Sequence, residues 1–127
     1  MIKSYLHIKE SASRGRGVFT KQDIPARTII EIAPVVVLPV KEVDDVLKTK
    51  LHNYVFKWGE SARKVGVCLG WGSVYNHSYK SNCQYHPNFK TNTLTIKTVR
   101  AIKKGEELFV NYNCVWNDET PVWFAVK

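Results

Sequence analysis

The segment Thr28–Leu38, TIIEIAPVVVL, narrows the possible folds more than any other part of the chain: β-branched side chains crowd it and prolines bound it. Such side chains are stiff at χ1 and pack well on a pleated surface, so a strand is expected there. Pro34, with no N–H to give a ladder, predicts an interruption. Shorter signals of the same kind surround it. An apolar-rich opening at Tyr5–Ile8 precedes Gly15-Arg16-Gly17, which reads as a tight turn feeding a strand at Val18-Phe19. Cys83–Phe89 and Leu94–Val99 flank Lys90-Thr91-Asn92-Thr93 as the arms of a hairpin. Tyr54–Phe56 predicts a further short strand, and Glu107–Tyr112 a last one after the turn at Gly105.

Helix has little room. Val43, Val46, Leu47 and Leu51 recur at helical spacing with Asp44, Asp45, Lys48 and Lys50 on other faces, which predicts one short amphipathic helix. The glycines of Gly66–Gly72 lead into a short helical turn at Ser73–Ser78. The expected class is mainly β (α+β), with several short strands. One internal echo is visible: Asp23–Glu31 and Ala101–Phe109 each run from an isoleucine through a polar turn into a strand, which suits two similar β-turn-β corners.

A chain of 127 residues predicts one domain, 1–127, and 44% hydrophobic content with 12% aromatics supplies a core and excludes wholesale disorder. No apolar run reaches the length that spans a bilayer, and the opening MIKSYLHIKE lacks the apolar stretch of a signal peptide. An intracellular location without membrane contact is therefore expected. Cys68, Cys83 and Cys114 are odd in number and lack CxxC spacing, which argues against a disulfide framework and a zinc cluster; no metal ligands are predicted. The formal charge of +8 permits contact with nucleic acid, but the lysines and arginines form no continuous run, so only non-specific contact is expected. The tail Asn113–Lys127 carries Trp116, Trp123 and Phe124, which predicts docking, either over the chain's own site or against a second copy as a homodimer.

Three clusters attract chemistry. Gly15-Arg16-Gly17 would let a ligand approach backbone groups closely, although an ordinary hairpin turn has the same look; the absence of a third glycine opening a helix excludes a dinucleotide fingerprint, and no GK[ST] follows for a phosphate loop. In Tyr75-Asn76-His77-Ser78 the asparagine offers two donors and an acceptor in one plane, suited to a ligand's ammonium and the carboxylate beside it. As an isolated tetrapeptide it reads better as a capping turn with a satisfied histidine. Gly105-Glu106-Glu107-Leu108-Phe109-Val110-Asn111-Tyr112 is a turn and strand whose final tyrosine either half-buries in the core or points its hydroxyl into a pocket.

Taken in order, GRGVF, YNHSYKSNC and GEELFVNY resemble the motifs of the SET-domain protein lysine methyltransferases. The resemblance runs from about Lys9 to Trp116, leaving 117–127 as a tail, and NYVF and CLGWGSVYNHS look most like the minimal single-domain members of large DNA viruses. It implies a SET fold of several small sheets with a C-terminal pseudoknot-like segment, and methyl transfer from S-adenosylmethionine to a lysine of a protein substrate. Histone tails are the leading candidate, with a nuclear setting in a eukaryotic cell or host and a cytoplasmic one otherwise. Carried over by position, Gly15, Arg16 and Gly17 would hold the methionine end of the cofactor, Asn76 its amino group and the His77 backbone its adenine edge. Tyr112 would be the catalytic tyrosine, touching both cofactor and amine; Tyr85 would line the lysine channel, and Tyr54 and Trp116 would wall either that channel or the adenine site. Arg27 stands where the family often has a turn glycine, Ser81 where a proline is common, and no CxC zinc extension follows Tyr112. The rival reading is a SET-like module without turnover that binds chromatin or nucleic acid.

Overall fold

A computed structural model of the chain describes residues 1–112. Along them run β1 (Leu6–Glu10), β2 (Arg16–Thr20), β3 (Ile29–Leu38), helix α1 (Val40–Leu47), a 3-10 helix (Lys50–Asn53), β4 (Val55–Trp58), β5 (Lys64–Cys68), β6 (Asn76–His77), β7 (Cys83–Asn88), β8 (Thr93–Thr98) and β9 (Glu107–Val110). The strands form two sheets, ordered β1-β2-β9-β6 and β4-β5-β3-β8-β7. The mainly β expectation holds. Trp116, Trp123 and Phe124, with the docking expected of them, lie outside the described residues. No helix among the described residues is long and apolar enough to cross a membrane.

β3 runs unbroken through Pro34, contrary to the interruption expected there. Its partners change at that point: β8 pairs with Ile29–Pro34 and β5 with Val35–Leu38. At the handover only the Pro34 carbonyl is needed, and it accepts the Leu69 N–H at 2.9 Å. The ladder's irregularity falls instead between Ile29 and Glu31.

Two other expectations need correcting. Gly66 is no loop punctuation but the centre of β5, where a Cβ would come within 2.7 Å of Val35 Cγ1 and 3.0 Å of the Trp58 ring. Its missing side chain lets β3 and β4 close on that strand. Ser73–Ser78 is also not helical throughout: a turn closes with Val74 N–H donating to the Trp71 carbonyl at 2.8 Å, and Asn76-His77 then become a strand.

That strand is held from outside. β9 slots between β2 and β6, antiparallel to one (Val18↔Leu108) and parallel to the other (Asn76↔Phe109, His77↔Val110). Leu108 and Val110 point into the core and are fully buried, while alternate residues face the site. Asn82 fixes the register: its Oδ1 accepts the Phe109 N–H at 2.7 Å and its Nδ2 donates to the Glu107 carbonyl at 2.9 Å. The echoed segments meet each other directly. Ile24 and Ile102 exchange both backbone hydrogen bonds, at 2.7 and 2.8 Å, and both side chains are buried. At the matching turn positions stand Arg27, with φ 58°, and Gly105, with φ 89°.

Candidate active site

Between the β1–β2 turn and the end of β9 lies a cavity of about 350 Å³, lined by Arg14, Gly15, Arg16, Asn53, Tyr54, Ser73, Val74, Asn76 and Tyr112. Asn76 enters it from β6 with its amide already committed. Nδ2 donates to the Glu107 carboxylate at 2.7 Å and to the Arg16 carbonyl at 3.2 Å, two groups that only accept. Among the described residues this leaves Oδ1 to meet a ligand, so Asn76 offers an acceptor for an ammonium and no donor for a carboxylate. Gly17 makes the close approach possible: a Cβ there would stand 2.8 Å from Asn76 Nδ2 and strike the Glu107 carboxylate. The cationic wall is Arg14, whose guanidinium sits 5.0 Å above the Phe109 ring.

Tyr112 forms the floor. Two residues past the end of β9, rather than on the strand as its pattern predicted, it donates its hydroxyl to the Tyr75 carbonyl at 3.0 Å. Its backbone N–H donates to His77 Nδ1 at 3.0 Å, and the two rings pack 5.0 Å apart. Burial, with the nearby Tyr54, pushes the Tyr112 phenol up to about 12. Burial, then the positive charge of Arg14, lowers the His77 imidazole below 6.5, so its Nδ1 stays an acceptor at neutral pH.

A second, larger cavity of about 890 Å³ adjoins the first. Tyr54, Asn53, Ser73 and Tyr112 line both, so the two spaces adjoin along these four residues. Tyr85, Phe56, Leu94, Val43 and Leu47 give the second an apolar wall. Tyr85 is 4% exposed, donates its hydroxyl to the Gly72 carbonyl at 3.0 Å and meets Phe56 edge-to-face at 5.0 Å.

The structure thus gathers Gly15, Arg16, Asn76, Tyr54 and Tyr112 around one cavity, with Gly17 directly beneath it and Tyr85 around the corner. The His77 ring turns away from that cavity and supports Tyr112. Trp116 lies outside the described residues. Sequence reasoning missed Arg14, Asn53, Ser73 and the part played by Glu107. Only Glu107 carried a signal, as a carboxylate inside GEEL that faces inward when β9 alternates. Among the described residues, no group of three or more His, Cys, Asp or Glu stands close enough to hold a metal ion.

The SET domain model matches residues 15–113. A fission-yeast protein (Schizosaccharomyces pombe), histone-lysine N-methyltransferase, H3 lysine-37 specific, is 37% identical over 113 residues, which are 88% of this chain and 76% of that protein. The Halocynthia roretzi histone-lysine N-methyltransferase SETD7 is 27% identical over 129 residues; the match takes in 87% of this chain but only 33% of that longer protein. A solved Plasmodium falciparum structure, described as a candidate histone methyltransferase, superimposes with a TM-score of 0.69 at 28% identity, covering 91% of this chain and 98% of that one. With motifs, topology and matched span in agreement, the chain belongs to the SET-domain family and is a protein-lysine methyltransferase.

Proposed function

We propose that the smaller cavity binds S-adenosylmethionine, that the larger one admits a lysine side chain, and that the substrate is a histone segment in a nuclear setting. The observation that carries this reading is the position of Tyr112, which lines both cavities and whose hydroxyl donates to the Tyr75 carbonyl. The residues fit the cofactor. Asn76 Oδ1 would suit its ammonium, Arg14 its carboxylate, and the Arg16-Gly17 backbone would lie against its methionine end, beside the Asn76 amide that a Cβ on Gly17 would press upon. When bound, S-adenosylmethionine supplies a methyl group on a sulfonium, an electrophile that needs no further activation by the protein.

The chain's own part is positioning. A lysine attacks only as the neutral amine, and an apolar channel walled by Tyr85, Phe56 and Leu94 disfavours its charged form. Because Tyr112 gives its proton to the Tyr75 carbonyl, its oxygen would meet the amine as an acceptor, and accepting an N–H would aim the nitrogen at the methyl. With its phenol raised to about 12, Tyr112 keeps its proton at physiological pH and does not act as a base; the ammonium proton leaves to water. The Tyr54 ring, 40% exposed and lining both spaces, offers a face to cationic lysine and its methylated products.

The test is transfer of labelled methyl groups to core histones and to a total cell lysate, with calorimetry of S-adenosylmethionine alone. Saturable binding with labelled histone supports the proposal. Binding with label only on another lysate protein discards the histone, and failure to bind discards the cofactor site. A homodimer built on the tail aromatics is part of the same proposal; sedimentation at micromolar concentration showing only a 14.6 kDa species would exclude it.

A further inference from the structure

Glu31 is a carboxylate on β3 with no exposed surface at all, and the chemistry above does not use it. Burying a charge of this kind is costly unless each oxygen is satisfied. Both are, and by one short stretch of chain. Oε2 accepts the Trp71 backbone N–H at 2.6 Å, and Oε1 accepts the Tyr75 phenol at 2.9 Å. Gly70 completes the fit, since a Cβ there would run into the Glu31 carboxylate and stand 2.9 Å from Ala33 Cβ. One side chain therefore grips a turn at its entrance and at its exit.

What that turn carries gives the grip its meaning. The Gly72 carbonyl accepts the Tyr85 hydroxyl at 3.0 Å, and the Tyr75 carbonyl accepts the Tyr112 hydroxyl at 3.0 Å. Between them Ser73 Oγ donates to the Tyr54 carbonyl at 2.6 Å. All three tyrosines of the site take their bearings from residues 72–75. The turn itself has one internal backbone bond, from Val74 N–H to the Trp71 carbonyl at 2.8 Å, before β6 begins. β3 does not need the carboxylate for its own place, because β5 and β8 already pair along it.

We propose that Glu31 is a positioning residue for methyl transfer, setting the hydroxyls of Tyr112 and Tyr85 through the Trp71–Tyr75 turn. The proposal rests on the site reading given above. It separates orientation of the amine, which Glu31 governs at a distance, from cofactor binding, which Asn76 and Arg16 serve from another side. Burial raises the Glu31 carboxyl while its Trp71 and Tyr75 donors pull it down, so the same two donors that it positions also favour its charged form.

The experiment uses Glu31→Gln, which keeps the side chain's shape and gives up the charge and one acceptor, with Tyr75→Phe as a second variant that removes only the phenol contact. Each is measured for thermal unfolding, S-adenosylmethionine affinity, kcat, the ratio of mono- to higher-methylated product, and hydrogen exchange at the Trp71 amide. The expected result is a folded protein with near-normal affinity, faster exchange at Trp71, a kcat down about tenfold and an altered product ratio. In a Tyr85→Phe background the change in product ratio from Glu31→Gln should shrink, since one of the two hydroxyls being steered is gone. Wild-type kcat and product ratio in folded variants overturn the proposal, as does a product-ratio change of undiminished size in that background. If Glu31→Gln does not fold, Tyr75→Phe alone decides, with the same two outcomes. Trp71 exchange keeps the two readings apart: with no methyl transfer even in the wild type, the functional reading falls, while the exchange still reports whether Glu31 holds the turn.

Discussion

Tyr112 and Asn76 divide the work of the site, and substitution should separate their contributions. Tyr112→Phe keeps the ring against His77 and removes one hydrogen bond, to the Tyr75 carbonyl, at a stability cost of about 1–2 kcal/mol. Methyl transfer should nevertheless fall on the order of a hundredfold, because the amine loses the oxygen that aims it. Asn76→Ala should act first on affinity, measured by calorimetry, and only then on rate. A Tyr112→Phe enzyme with normal turnover would move the orienting role to Tyr54 or Tyr85. Arg27 makes a different prediction. Its φ of 58° is a conformation most side chains reach only at a cost, its side chain is exposed, and its backbone N–H to the Thr98 carbonyl survives substitution. Arg27→Gly should stabilise the fold by up to about 1 kcal/mol in urea unfolding, the relief of strain outweighing glycine's greater freedom when unfolded. A loss of stability would mean that the guanidinium holds something in place.

Among the elements, β2 and β6 show how little backbone is needed to build a site. Gly17→Ala puts a methyl group against the Asn76 amide and the Glu107 carboxylate, both of which are ends of side chains that can shift. The fold should survive while S-adenosylmethionine affinity drops about tenfold, as one well-placed hydrogen bond is misaligned. Unchanged affinity would show that nothing approaches the backbone there. This is also the scale at which the sequence was most and least legible. GRGVF and GEELF could be read as turn-then-strand because glycine and alternation both act locally. β6 could not, since two residues have no period of their own and become a strand only when β9 lies alongside. β5 was hidden for the opposite reason: Gly66 looks like a breaker until the Trp58 ring and Val35 that need its emptiness are in view. Among site residues, Asn76 and Tyr112 could be found from their neighbours in the chain, whereas Arg14 and Glu31 gain their meaning only from segments far away.

On the scale of the whole molecule, His77 links the site to overall stability. Its imidazole titrates below 6.5 in the folded protein because of burial and Arg14, and near 6.5 when the chain is unfolded. The unfolded state therefore binds the proton first, so this contribution is complete above pH 6.5 and is lost as pH falls from there through the lower folded value. Melting temperature should decline from pH 7 toward pH 5 more steeply in the wild type than in His77→Gln. Parallel declines would assign the effect to a group other than His77; the Glu31 carboxyl, with its raised value, favours the folded state as pH falls and so opposes the decline. Protonating His77 also takes away the acceptor for the Tyr112 backbone, so activity should decline along the same acid limb.

The place of β9 between β2 and β6 has a consequence for how the enzyme comes into being. The two motifs on either side of it share no ladder of their own, and the wedge between them comes later in the chain than either. Until that wedge is inserted, β2 and β6 flank a slot without a completed site. A slot of that kind can be filled from outside. A chain cut after Lys103 should bind no S-adenosylmethionine, and adding the missing stretch as a separate peptide should restore both binding and methyl transfer, which makes the protein a natural starting point for a two-piece enzyme switched on by bringing its halves together.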